Sequence, residues 1–474
     1  MDFRDYSLKE LVNNVKTKKI SAKEMTEAVI NNIEKYDKTL NAFCAVNFED
    51  AFKQAEHIDS LISKGEDVGM LAGLPIGVKD LEDAKGFVTS YGSALHIKDN
   101  PAENDSILVK RMKDQGCIVV GKTNTPEFGY KGKTDNIPFG TTKNPWNLEY
   151  SPGGSSGGTA AAIASGMIPL GTASDGGGSI RIPAALVGLS GIKTSQGRIP
   201  IGGDKPPGSG FLTVKGMLAN STEDNTLALD ATVGPHPTDM FSLEAENLNW
   251  SGQLNDELPK TAIWSPTMGF STVDKEILAT CEEAINSLAN AGVEIIEKEV
   301  IWRENPVDAW EILWAASCAK RHQHLIGTED YEKIDPLLRS YIEKGTLIDG
   351  ASFASAIDSC YKLAFQLQQF FEEAPLIITP ATCGHPPKLE GDGFVNGNET
   401  PSWVDFTMGI NMTRNPAGVI PTSLLKSGLP GSIQIIARQR QDIDVLQAMH
   451  SFEKVFQFSE NAMHFYNKLG STTR

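Results

Sequence analysis

The fold class this sequence predicts is α/β, with a central mixed β-sheet covered by helices on both faces. Three observations point to it. Short β-branched runs alternate with amphipathic helical patterns. Between residues 71 and 214 glycine becomes dense and charge thins out. Strand-like runs then return beyond a long helical stretch near the C-terminus.

Taken in order, residues 1–60 read as helical. Ser7-Leu8-Lys9-Glu10 and Ser21-Ala22-Lys23-Glu24 are capping boxes, in which Ser and Glu satisfy free amides at a helix start. The runs 76–78 and 117–120 are apolar and β-branched, and a helical pattern over 106–114 separates them. A polar, Pro-rich stretch over 235–259 reads as a surface connection. A second α/β portion follows, with strands at 262–264 and 293–296 around a helix over 274–291. Residues 306–373 are helical and aromatic-rich, and strands return at 376–378 and 433–436. Strands on both sides of the helical section predict one continuous sheet. The expected organisation is a single domain over 1–474, with core motifs in 71–214 and a helical cover over about 300–375. Trp302, Trp310, Trp314 and Tyr361 of that cover are expected in the core.

The chain has 474 residues and a net charge of −17, which argues against a nucleic-acid partner that would need a basic stripe. The basic cluster at 16–19 reads as a solvated helix end. Met1-Asp2-Phe3-Arg4-Asp5 is charged and no apolar run follows it, so no ordinary secretory signal is expected. The least polar stretch, 160–173, is broken by Gly166, Pro169 and Gly171, so no membrane span is expected. Cys44, Cys117, Cys281, Cys318, Cys360 and Cys383 lack C-x-x-C spacing and read as buried thiols of a cytoplasmic enzyme. His322 and His324 stand without an H-E-x-x-H or cysteine cluster, so no metal site is expected. Oligomeric state is open, with the homodimer as the commonest closed assembly.

Three glycine-rich segments carry the chemistry. They are Gly73-Leu74-Pro75-Ile76-Gly77-Val78-Lys79-Asp80, then Gly153-Gly154-Ser155-Ser156-Gly157-Gly158, then Asp175-Gly176-Gly177-Gly178-Ser179-Ile180-Arg181. Acyl transfer needs a nucleophile, a group to take its proton, and donors aimed at the oxygen that becomes negative. Three glycines before Ser179 let the backbone gather its amides into one concavity. None of the eight histidines lies beside these loops in sequence. A lysine serves as base if it is neutral, which requires its pKa to fall far below about 10.4. Lys79 ends an apolar run, so burial is expected; Asp80 beside it would raise the pKa if it pointed the same way. Asp175 and Arg181 flank the nucleophile as braces for the turn.

The ordered trio of motifs resembles the amidase-signature family. Gly121-Lys122-Thr123-Asn124-Thr125-Pro126-Glu127, Phe139-Gly140-Thr141-Thr142-Lys143-Asn144-Pro145-Trp146 and Gly428-Leu429-Pro430 extend the likeness over roughly 7–455. The resemblance implies an amide hydrolase without a cofactor, acting on a small-molecule amide. It implies Ser179 as nucleophile, Ser155 (held through a cis peptide) as proton relay and Lys79 as base. The oxyanion donors implied are the amides of Gly176, Gly177, Gly178 and Ser179. Residues 127–136 are implied to run along the acyl side, with Phe128 and Tyr130 in contact with substrate. The sequence departs from the family pattern at Thr194, over 214–218 and at Arg414, none of which is catalytic. Two other enzyme readings stand beside it. Gly154-Ser155-Ser156-Gly157-Gly158 matches the G-x-S-x-G of an α/β-hydrolase esterase, although Glu149-Tyr150-Ser151-Pro152 is a poor strand and only His385 or His450 could complete a triad. The family's amidotransferase component is the other, and Phe128-Gly129-Tyr130-Lys131-Gly132 does not resemble that branch closely. A non-enzymatic binding module would leave the complete trio unexplained.

Overall fold

Both N-terminal capping boxes form. Ser7 and Ser21 accept from the amides of Glu10 and Glu24, whose carboxylates reach back to the cap amides, and open the helices Leu8–Lys16 and Ala22–Leu40. The computed structural model describes residues 1–203, 212–244 and 248–458. In chain order the strands begin with β1 Phe43–Val46, β2 Pro75–Lys79, β3 Ile118–Thr123, β4 Asp135–Asn136 and β5 Gly140–Thr141. β6 Leu170–Asp175, β7 Ser190–Lys193, β8 Val214–Ala219, β9 Thr261–Trp264 and β10 Glu294–Glu297 follow. The last are β11 Leu376–Pro380, β12 Gly393–Val395, β13 Asn398–Thr400, β14 Ala417–Leu424 and β15 Pro430–Ala437.

Eleven of these strands form one mixed sheet in the order β1-β3-β2-β6-β8-β7-β14-β15-β11-β9-β10, while β4–β5 and β12–β13 pair separately. The strands expected at 76–78, 262–264, 376–378 and 433–436 all lie in this sheet. β9 and β10, before the helical section, join β11 and β15 beyond it, so one continuous sheet carries both halves of the chain.

Two glycines mark the faces of the sheet. A Cβ at Gly191 would lie 2.6 Å from Ala184 in the helix Arg181–Val187, and one at Gly418 would lie 2.0 Å from Met449 Sδ in the helix Asp442–Phe456. Gly418 stands opposite Ile192, the neighbour of Gly191. Adjacent strand residues point to opposite faces, so these two helices cover opposite sides.

The helical cover consists of Pro306–His322, Pro336–Thr346 and Gly350–Phe370. Trp302 and Trp310 are buried as expected, whereas Trp314 is only partly buried and lines a cavity. Tyr361 corrects the expectation outright. It is 73% exposed because it lies on the outward face of its helix, whose buried positions are Ala356, Cys360, Leu363 and Leu367. All six cysteines are free, and Cys44 is only partly buried. Among the described residues no helix is long and apolar enough to cross a membrane. What positions the site is the pairing of β2 and β6 as parallel neighbours. Their carboxyl ends, Lys79 and Asp175, open at the same edge of the sheet, where α/β folds place their clefts.

Candidate active site

Lys79 is the last residue of β2, and its side chain is wholly buried. Its Nζ lies 2.8 Å from Ser155 Oγ, 2.9 Å from Ser156 Oγ and 3.0 Å from Ser174 Oγ. Burial pushes its pKa well below the ordinary lysine value, and the Lys215 ammonium pushes the same way. Glu82 and Asp175 oppose them. Glu82 is itself paired with Lys215. Asp80 takes no part in this. Strand alternation sends it to the other side, where it meets Lys122 Nζ at 3.2 Å, the amides of Ser90 and Gly92, and the Ser90 hydroxyl.

Ser155 sits in the turn before the helix Gly157–Ala164, and its peptide bond to Gly154 is cis. Thr125 Oγ1 donates to the Ser155 carbonyl at 2.8 Å. Ser156 Oγ donates to the Ser179 carbonyl at 2.6 Å, which ties the lysine's serine loop to the nucleophile turn.

That turn, 176–180, joins β6 to the helix Arg181–Val187. Its carbonyls are each pinned: Gly176 accepts from Trp310 Nε1 (3.0 Å), Gly177 from Thr407 Oγ1 (2.6 Å) and Gly178 from the Ile182 amide (2.7 Å). In a trans peptide the N–H points opposite to the preceding carbonyl, so these three bonds fix where the amides of 177, 178 and 179 point. The Gly178 amide is taken up by Asp175 Oδ1 at 2.7 Å, which removes it from the expected oxyanion set. The amides of Gly176, Gly177 and Ser179 have no hydrogen-bond partner among the described residues; Gly176 and Ser179 line the cavity, and Gly177 and Ser179 are partly exposed. Glycine is required here for two different reasons. Only Gly178 adopts a positive φ (127°). At Gly177 a Cβ would meet the Trp310 ring at 2.6 Å, so this glycine allows close approach and not a special dihedral.

Asp175 and Arg181 act as the expected braces. Arg181 is fully buried and bonds Asp175 through Nε and Nη2, Gln434 Oε1 at 2.7 Å and Asn411 Oδ1 at 2.6 Å. Asn411 Nδ2 returns to Asp175. Of these partners Thr407, Asn411 and Trp310 were not legible as site residues, because each lies more than a hundred positions from the turn it holds. Ser156 was visible inside its motif, and only the fold reveals that it bridges Lys79 and Ser179.

Ser155 and Ser179 open onto one cavity of about 900 Å³, whose walls include Gly176, Phe128, Tyr130 and Trp314. Ser179 Oγ has no hydrogen-bond partner among the described residues. Phe128 takes a left-handed φ of 51°, stacks on Tyr91 at 5.7 Å and meets the His322 ring at 4.3 Å. The Tyr130 hydroxyl donates to Asp335 Oδ1 at 2.6 Å, which fixes its ring in the wall. The esterase reading finds no support. His385 lies by Asp274 and Glu276, His450 lies by Asp256, and neither lines the cavity. The residues before Ser155 form no strand beyond a single bridge at Tyr150.

The family model described as Amidase matches residues 24–446. An acylamidase of Rhodococcus erythropolis is 31% identical over 458 residues, covering 95% of each chain. A glutamyl-tRNA(Gln) amidotransferase component of Agathobacter rectalis is 28% identical over 480 residues, covering 96% of this chain and 94% of its own. A solved bacterial aryl acylamidase of the amidase-signature family superposes with a TM-score of 0.90 at 29% identity, covering 98% of both chains. With the family model spanning most of its length and these relatives matching nearly end to end, the chain belongs to the amidase-signature family.

Proposed function

We propose that the protein hydrolyses a carboxylic amide to a carboxylate and an amine or ammonia, through an acyl-enzyme on Ser179. The observation that carries this reading is a buried lysine, depressed in pKa, 2.8 Å from a serine that shares its cavity with a second, unpartnered serine. Ser179 Oγ attacks the carbonyl carbon and gives its proton to Ser155, whose own proton passes to neutral Lys79. The amides of Gly176, Gly177 and Ser179 are the donors left to receive the negative oxygen. Collapse breaks the C–N bond, and the leaving nitrogen takes the proton back along the same path. Water then enters by the reverse relay and releases the acid. Phe128 and Tyr130 form the acyl side of the cavity. Stand-alone hydrolysis is preferred over a role within an amidotransferase complex, in keeping with the likeness to acylamidases over the full chain.

A fluorophosphonate should add once, at Ser179. Trypsin leaves Ser155, Ser156 and Ser179 in one peptide, 144–181, so fragmentation of that peptide must place the adduct. Addition at Ser155 or Ser156 would overturn the assignment.

A further inference from the structure

The helix Pro306–His322 presents Trp314, Cys318, Arg321 and His322 to the cavity. Their spacing of four, seven and eight residues from Trp314 places them on one helix face. Three of them carry N–H groups that nothing among the described residues satisfies. Trp314 Nε1 and His322 Nε2 are buried without a hydrogen-bond partner. Arg321 is exposed at the cavity and makes no hydrogen bond or ion pair with any described residue. Of the acids lining the cavity, Asp99 pairs with His96, Asp105 with Lys113 and Glu82 with Lys215, and no ion pair joins a lining acid to Arg321 among the described residues. His322 is 93% buried by its 7% exposure, and burial, together with Arg321, His324 and His96, pushes its pKa down to about 4, so near neutral pH it is an uncharged donor.

We propose that this helix face is a recognition subsite for a carboxylate on the substrate, with Arg321 as counter-charge and Trp314 and His322 as flanking donors. The inference rests on the amide-hydrolase reading and names the substrate class: amides with a carboxylate elsewhere on the molecule. Unpaired buried donors cost free energy in the empty site, and an acceptor-rich ligand recovers it. A carboxylate suits a guanidinium in particular, since its two oxygens match the planar fork. The subsite also adjoins the chemistry. The Trp314 ring would lie 3.1 Å from a Cβ at Gly176, in the nucleophile turn. His322 packs on Phe128, whose neighbour Gly129 would place a Cβ 3.1 Å from Ser155 Oγ.

The test uses monoanilides of succinic, glutaric and adipic acids, each against a neutral isostere with isopropyl in place of carboxylate. In at least one pair wild-type kcat/KM should favour the acid by about tenfold or more. Arg321→Gln should collapse that ratio, Arg321→Lys should keep part of it, and Trp314→Phe should lower it. A ratio near one in every wild-type pair, or a preference that survives Arg321→Gln, would overturn the subsite while leaving Ser179-dependent hydrolysis intact. If no anilide is consumed, calorimetric titration of the Ser179→Ala protein with glutarate still decides. Saturable binding that is lost on adding Arg321→Gln supports the subsite, and absence of binding refutes it.

Discussion

Lys79 shows how one position in a strand sets its chemistry. Alternation puts it on the face opposite Asp80, so the nearest carboxylate in sequence neutralises Lys122 and leaves the Lys79 amine alone. Burial then favours the uncharged amine, and Lys215 adds repulsion. A base must be unprotonated to accept, so kcat/KM should rise with pH through a group well below the ordinary lysine value of about 10.4. Lys79→Ala should lose several orders of magnitude, and Lys79→Arg should restore almost nothing, because guanidinium stays charged throughout the accessible range. Substantial activity in Lys79→Arg, or an unchanged rising limb there, would show a structural cation instead. pH–rate profiles of the wild type and both variants make the distinction.

At the scale of elements, the nucleophile turn is held by side chains from distant segments. Trp310 from the helical cover holds the Gly176 carbonyl, and Thr407 holds that of Gly177. Each bond also aims the amide that follows. Trp310→Phe deletes the Nε1 donor together with part of the ring edge that faces Gly177. The expected outcome is a kcat lowered about tenfold with KM nearly unchanged, since an oxyanion donor acts mainly on the transition state. A rise in KM at constant kcat would assign Trp310 to packing alone. Steady-state kinetics on a single anilide suffices to tell them apart.

Across the molecule, the N-terminal helix is docked through a buried carboxylate. Asp224 Oδ1 accepts from the Leu8 amide at 2.7 Å and lies in the first turn of the helix Thr222–Asp230. Burial raises its pKa to about 6, with Glu223 and Glu10 adding to the rise against hydrogen bonds from Leu8 and Ser221. A folded-state pKa above the unfolded one means that the protonated form is favoured by folding. The associated stability is full below the ordinary carboxylate range and is lost as pH rises through about 6. Asp224→Asn cannot ionise and can still accept from Leu8. Its melting temperature should match the wild type at pH 4 and exceed it at pH 8. A variant that is less stable at pH 8 would show that the ionised carboxylate holds the helix.

Local pattern in the chain was enough to set the elements, the sheet class and the three glycine-rich loops. Capping boxes, β-branched runs, and glycines at fixed offsets from Lys79, Ser155 and Ser179 are all short-range features. They did not determine which way the amides of the turn point or where Asp80 goes. Nor did they decide that Tyr361 faces solvent while Trp314 faces a cavity. The physical reason is that a carbonyl's partner and a helix's buried face are chosen by whatever packs against them. In this chain the Gly176 and Gly177 carbonyls are held from Trp310 and Thr407, more than a hundred residues away. Sequence pattern fixes which residues can do chemistry, and long-range packing fixes which of their atoms face the cavity.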